Sequence, residues 1–446
     1  MEYLVIAGQL ILSLSILVVL HEWGHFFPAR LFGTRVEKFY LFFDPGFSLF
    51  KKKIGETEYG IGWLPLGGYV KISGMMDESF DTEQLAKPPE PWEFRSKPAW
   101  QRLIIMLGGV TVNFILGFLL WGMVLFVWGE KSLPNENVTY GIYVDDLAEE
   151  MGLQNGDKIV SIGGKTFEDF GALRKEIVFN DASSMTVERG GKQVRLDIDE
   201  KYVSQLAGYR GFFATPRHPF VVGKVIKDRP AEKGGIEKGD SIIGFNDMQI
   251  AYFDEFKNQA NIHRDETVKV TLVREGKTWI QDVKLDSCGY MGVAPYGSDR
   301  YLTFGMEKYA LGPAMAAGVS KGWDFLAANV KGFGMMFTGK IKASESLGGF
   351  GTIAKLFPSK WDWGQFWKIT AILSLILAFM NILPIPILDG GHVMFLLYEM
   401  IVGRPPSQRF MEISMNIGLF LIFGLLLFAN GMDIVRAWTG GGAAAC

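Results

Sequence analysis

The stretch "YLVIAGQLILSLSILVVLHEWGHFF", residues 3–27, decides the fold, because an apolar run long enough to cross a bilayer closes on two histidines and a glutamate. A membrane-spanning helix needs about 20 predominantly apolar residues. Ionisable groups at membrane depth are costly enough to mark function. The run lacks a basic leader and a small-residue cleavage site, so it reads as a retained helix rather than a signal peptide. On a helix, residues four apart share a face, so His21 and His25 can ligate one Zn²⁺ with Glu22 beside the open position for water. Such motifs also arise by chance on surface helices, but an uncompensated histidine pair closing an apolar span would be expensive.

Three further runs, roughly 103–128, 366–385 and 412–430, are comparably long and apolar. Hydrophobic residues make up 48% of the chain and mean hydropathy is +0.16, yet 21% of residues are charged, a mixture that indicates membrane spans joined to water-exposed modules. A net charge of −3 excludes the global basic field expected of a nucleic-acid binder. Arg30, Arg35, Lys38 and Lys51 to Lys53 follow the first run, and Arg404 and Arg409 lie in the short loop before the last. The positive-inside rule makes both loops cytoplasmic and sets the termini and residues 130–300 on the opposite side. The closing "TGGGAAAC" resembles a tag remnant, so residues 440–446 are set aside. Cys288 is then alone, without a partner for a disulfide or a thiolate zinc cluster.

A catalytic zinc commonly takes three protein ligands and keeps one position open. His218 and His263 fall in the exterior region and read as surface residues. "NILPIPILDGGH", residues 381–392, closes the third run, and its Asp389 is the only carboxylate between Asp362 and Glu399. Pro384 and Pro386 break the helix there, which is tolerated at membrane depth where protein or a water-filled cavity satisfies the freed backbone groups. Asp389 is the expected third ligand. His392 is the competing candidate, better suited to orienting a neighbour or facing the cytoplasmic interface. Asn113, within "GGVTVNF" (108–114) of the second run, reads as a helix-packing or substrate-gating residue.

The exterior region repeats itself. "LAEEMGLQNGDKIVSIGGKTFEDF" (147–170) matches "PAEKGGIEKGDSIIGFNDMQIAYF" (230–253) without a gap, pairing Gly152 with Gly235, Gly156 with Gly239 and Asp157 with Asp240. Each copy predicts a short helix ending in a glycine turn, a strand, a second helix (168–178 and 253–261) and two further strands. This pattern resembles the PDZ domain in its circularly permuted form, with "YRGFF" (209–213) and "YMGVA" (290–294) where a late strand supplies the peptide-binding loop. PDZ grooves bind peptides by strand addition. Folded spacers that filter by size are the alternative.

"HEWGH" in one span and "NILPIPILDGG" in a later one, with "LPLGGYVKISG" (64–74) between them, resemble the site-2 protease family of intramembrane zinc metalloproteases. The resemblance implies that His21, His25 and Asp389 hold Zn²⁺ and that Glu22 is the general base. It implies further that Asn381 hydrogen-bonds an extended substrate backbone and that Pro384 and Pro386 shape the cleft wall; a helix-capping role for Asn381 stays open. "FYLFFDPGFSLFKKK" (39–53) is similar to the family's membrane-associated β-hairpin, although Pro45, Gly46 and Phe47 replace its usual Gly-Phe-Gly turn. Implied substrates are single-pass membrane proteins, of the anti-sigma-factor type or remnant signal peptides, cut within the lipid bilayer of a bacterial inner membrane. The modules would face the periplasm and the active site the cytoplasmic side.

The expected fold class is an α-helical polytopic membrane protein with four transmembrane helices, a membrane-associated β-hairpin and two α+β PDZ domains. Its parts are a first helix in 1–33, a cytoplasmic loop with the hairpin in 34–100, and a second helix in 101–129. The modules follow in 130–215 and 216–298, then amphipathic or linking helices in 299–362, a third helix in 363–402 and a fourth in 403–439. The segment 301–360 suits a helix lying on the membrane or one packed on the modules. Two rivals fit less well: a catalytically silent PDZ scaffold predicts a broken zinc set, and a zinc transporter predicts more ligands than five histidines supply.

Overall fold

The computed structural model describes residues 2–65, 67–75, 88–180, 182–209, 211–339 and 348–443. Parts of the expected 34–100 loop, the "YRGFF" loop, the 301–360 segment and the 440–446 tail therefore lie outside the described residues. The chain divides into two compact units: Met1–Gly129 with Lys308–Val330 and Gly348–Asp433, and a second built on Glu130–Glu307.

Among the described residues, four helices are long and apolar enough to cross a membrane: Glu2–Leu31, Ala99–Trp128, Trp363–Ile382 and Gln408–Arg436. This fits a polytopic membrane protein joined to β-rich domains. The second span is central, packed against the first span, the third span and a helix Asp389–Val402. Without a hydrophobic drive between helices in lipid, small residues and polar contacts hold the bundle. A Cβ on Gly24 would lie 2.5 Å from the Gly108 carbonyl oxygen, so the first two spans cross backbone to backbone. Ser13 meets Thr370 at 2.9 Å, and Ser374 donates to the Asn113 carbonyl at 2.8 Å. Gly318 and Gly322, in the helix Leu311–Phe337, seat it on Phe118 and Gly122 of the second span.

Between the first two spans lies a four-stranded sheet of β1 (Val36–Leu41), β2 (Phe43–Ile54), β3 (Thr57–Leu64) and β4 (Tyr69–Ile72), in the order β2-β3-β1-β4. The hairpin expected over 39–53 is displaced, because its turn falls at Gly55, where φ is +62°, between the paired Ile54 and Thr57. Pro45 to Phe47 instead form an irregular bulge, since proline cannot donate to a ladder and Gly46 takes φ +88°. Phe47 stacks on Trp63, and with Leu49, Phe50 and Ile54 they leave an apolar face exposed above Lys51 to Lys53.

The second unit holds two modules with separate cores. The first has strands β5 (Glu130–Ser132), β6 (Ile142–Val144), β7 (Lys158–Ile162), β8 (Lys165–Thr166), β9 (Ser184–Arg189), β10 (Lys192–Asp197) and β11 (Ala214–Pro216). The second has β12 (Val222–Val225), β13 (Ser241–Phe245), β14 (Met248–Gln249), β15 (Thr267–Arg274), β16 (Lys277–Lys284) and β17 (Val293–Pro295). The main sheets run β10-β9-β7-β8 and β16-β15-β13-β14, the same order, and the short pairs β11-β6 and β17-β12 also correspond. The matched glycines Gly152, Gly156, Gly235 and Gly239 all have φ between +74° and +100°, a region closed to most side chains. Buried Asp157 pairs with Arg189 at 2.8 Å, and buried Asp240 pairs with Arg274 at 2.7 Å. Each arginine also donates at 2.7 Å to the carbonyl of the matched glycine, Gly152 or Gly235. Cys288 is disulfide-bonded, which corrects the expectation of a lone thiol.

Candidate metal centre

The first helix continues unbroken through the motif to Leu31, so His21 and His25 sit one turn apart on its buried face. Their Nε2 atoms lie 3.3 Å apart, and each is 3.4 Å from Asp389 Oδ2. Donor atoms about 2.0–2.1 Å from one tetrahedral zinc lie about 3.3–3.4 Å from one another, so these three match the spacing a single ion demands. Asp389 Oδ2 is buried without a hydrogen-bond donor. A lone pair in that state is costly unless a cation meets it. His25 Nδ1 donates to the Ile105 carbonyl at 2.8 Å, which leaves Nε2 as the free lone pair.

Asp389 reaches the histidines because the third span stops at Ile382 and a new helix starts at Asp389 itself. Between them Ile387 adopts φ +88°, an uncommon conformation for a β-branched residue and a mark of local strain. The two glycines after Asp389 are required by space, since a Cβ on Gly391 would lie 2.5 Å from the Ile385 carbonyl oxygen and one on Gly390 would strike the Ile382 and Leu383 carbonyls. Arg102 pairs with Glu399, tying the far end of this helix to the second span.

A cleft of about 850 Å³ opens on the three donors. Glu22, Asn381 and His392 line it, as do Gly67, Gly68 and all of β4. Gly68 lets its loop lie against the first span beside Glu22, for a Cβ there would be 2.6 Å from Val18 Cγ1 and 2.6 Å from the Tyr40 carbonyl oxygen. Asn381 Nδ2 lies 3.3 Å from His21 Nε2, within reach of the same centre. Pro384 is exposed, Pro386 packs against Gly391 and Gly418, and neither lines the cleft. His392 faces the cleft but is not one of the three clustered donors. In the other unit His218 stacks on Phe253 and Tyr301, and His263 meets Glu266.

Two features were missed from the sequence. One is β4, which among the described residues pairs only with β1 and lines the cleft together with Phe43 to Pro45 of β2, the edge strand expected from residues 39–53. The alternating "YVKI" after a glycine pair was the available signal. The other is the contact that Asn113, read as a helix-packing or substrate-gating residue, makes with a candidate ligand: it is fully buried with Nδ2 3.0 Å from His21 Nδ1. It does not line the cleft, so it has no surface on which to gate a substrate.

Four apolar spans that carry a zinc-type donor cluster and a neighbouring glutamate within a cleft define a polytopic membrane protein of the metallohydrolase class. The model for peptidase family M50 matches residues 9–425, and the chain belongs to that family. It is a zinc metalloendopeptidase of the site-2 protease type, a family of regulated intramembrane proteases. A Neisseria meningitidis protein provisionally named a zinc metalloprotease is 30% identical, over 96% of this chain and 98% of its own length. The Regulator of sigma E protease of Haemophilus influenzae is 27% identical over 98% of this chain and 100% of its own. The Regulator of sigma-E protease RseP of Escherichia coli is 28% identical over 94% and 97%.

Proposed function

We propose that His21, His25 and Asp389 hold one zinc ion and that Glu22 is the general base of peptide hydrolysis inside the membrane. The observation that carries this is the convergence of three donor atoms at tetrahedral spacing beside Glu22, at the floor of a cleft. When bound, zinc supplies a Lewis acid that polarises the scissile carbonyl and acidifies water toward a pKa of about 7. The Glu22 carboxylate takes the proton of the attacking water and returns it to the leaving amine.

A substrate helix satisfies its own backbone in lipid and must unwind before it can be cut. The edge strand β4 then supplies hydrogen-bonding partners for the released backbone groups, and Asn381 holds the strand extended over the donors. Pro384 and Pro386 act by shaping the loop that delivers Asp389. The apolar hairpin face and the lysines beneath it anchor the sheet at the membrane surface.

The substrates are single-pass membrane proteins whose exterior domains have already been removed, of the anti-sigma-factor or remnant-signal-peptide kind. The names carried by the Haemophilus and Escherichia relatives support the former. The two β-rich modules are PDZ domains facing the periplasm of a bacterial inner membrane, supported by their matching strand orders and by the basic loops after the first span and before the fourth.

The test is a digest in detergent of a single-pass substrate lacking its exterior domain, by the chain and by Glu22→Gln, with products read by mass. Cleavage within the apolar segment by the unaltered chain alone is the expected result. No cleavage, with zinc bound and substrate associated, would overturn the reading.

A further inference from the structure

We propose that Asn113 is a positioning residue that selects the metal-binding tautomer of His21 by accepting a hydrogen bond from its Nδ1–H. The inference rests on the zinc reading above and adds a role for a side chain that touches neither the cleft nor the metal position. For Nε2 of His21 to present its lone pair beside His25 and Asp389, the ring proton must sit on Nδ1. That proton needs an acceptor, because an unmet N–H in a buried site is costly.

His25 solves the same problem through the Ile105 carbonyl of the second span. One helical turn further along that span, the Gly109 backbone reaches His21, and the next turn brings Asn113. The absence of a side chain at Gly109 lets both imidazoles approach, since a Cβ there would lie 2.3 Å from His25 Nε2 and 2.7 Å from His21 Cε1. The Asn113 amide lies 3.0 Å from Nδ1 with Nδ2 toward the ring, while its Oδ1 is buried without any partner. A half-turn about the terminal torsion exchanges the two amide atoms without changing the side chain's shape. Oδ1 then meets Nδ1–H, and the orphaned acceptor is satisfied. Ser374 fixes the backbone at this residue by donating to its carbonyl, so the amide is held at a set depth beside the ring. Partners of this kind typically contribute 10–100-fold to metal affinity.

The experiment compares Asn113→Leu with Asn113→Asp in the full chain in detergent, with zinc affinity read by chelator competition and thermal unfolding as control. The leucine keeps the branched shape and removes the acceptor, whereas the aspartate keeps an acceptor at the same place. About tenfold or greater weakening for leucine, with aspartate within a few fold of the unaltered chain, is the expected result. Leucine binding zinc as tightly as the unaltered chain overturns the proposal. So does aspartate binding as weakly as leucine, since that marks the site as packing alone. If the leucine variant does not fold, Asn113→Ala answers the same question. A chain that binds no zinc even unaltered would instead overturn the ligand set itself.

Discussion

Asp389 and Asp240 are both carboxylates withdrawn from water, yet their surroundings are opposite. Asp240 is saturated: Arg274 grips both oxygens, at 2.7 and 2.8 Å, and the Glu237 N–H adds a third bond at 2.8 Å. Its counterpart Asp157 is held the same way by Arg189 and the Gln154 N–H. Asp389 Oδ2 has two imidazoles at 3.4 Å, too far for good hydrogen bonds, and no other donor meets it. Buried charges are normally paired. A carboxylate whose partners are all protein is holding the fold together, and one whose geometry waits for a cation belongs to a site.

The largest effect that tests this contrast comes from Asp389→Asn. Cleavage should fall by more than about 100-fold, beyond the usual cost of losing an outer-shell partner, while the zinc-free chain unfolds at the same temperature or higher. A marked loss of stability without metal would make Asp389 a structural carboxylate like Asp240. Asp240→Asn should do the reverse, destabilising the second module by about 1–3 kcal/mol as the charge-assisted bonds from Arg274 are lost. Hydrogen exchange across β13 to β16 would report it, with zinc content unchanged. Gly109→Ala drives a methyl into His25 Nε2 and the His21 ring, and overpacking of about 1–3 kcal/mol should appear as about 5- to 150-fold weaker zinc binding. The smallest effect belongs to Ile387→Gly, which releases the φ +88° strain but adds backbone freedom. A net change below about 1 kcal/mol in thermal unfolding is expected.

The site was legible in sequence where its signal was local or chemically incongruous. His21, Glu22 and His25 announce themselves by four-residue spacing at the end of an apolar run, and Asp389 by being the lone carboxylate of another. Asn113 stood out as a polar residue in an apolar run, but its contact with His21 did not, because the two lie 92 residues apart in the chain. The tandem modules were legible through their glycine turns, which demand positive φ. The Asp–Arg pairs were not, since Arg189 and Arg274 lie past the gapless match, at separations of 32 and 34 from their aspartates. The hairpin misled because Pro45-Gly46 carries turn chemistry, yet the lysine run continues the ladder to Gly55.

The most direct measurement is X-ray absorption at the zinc edge on the purified, zinc-loaded chain. Two imidazole nitrogens with oxygen completing a shell at about 2.0–2.1 Å is the expected result, lost on Asp389→Asn and retained in Glu22→Gln. Three imidazoles, with His392 in the place of Asp389, or a sulfur at about 2.3 Å would contradict the ligand set.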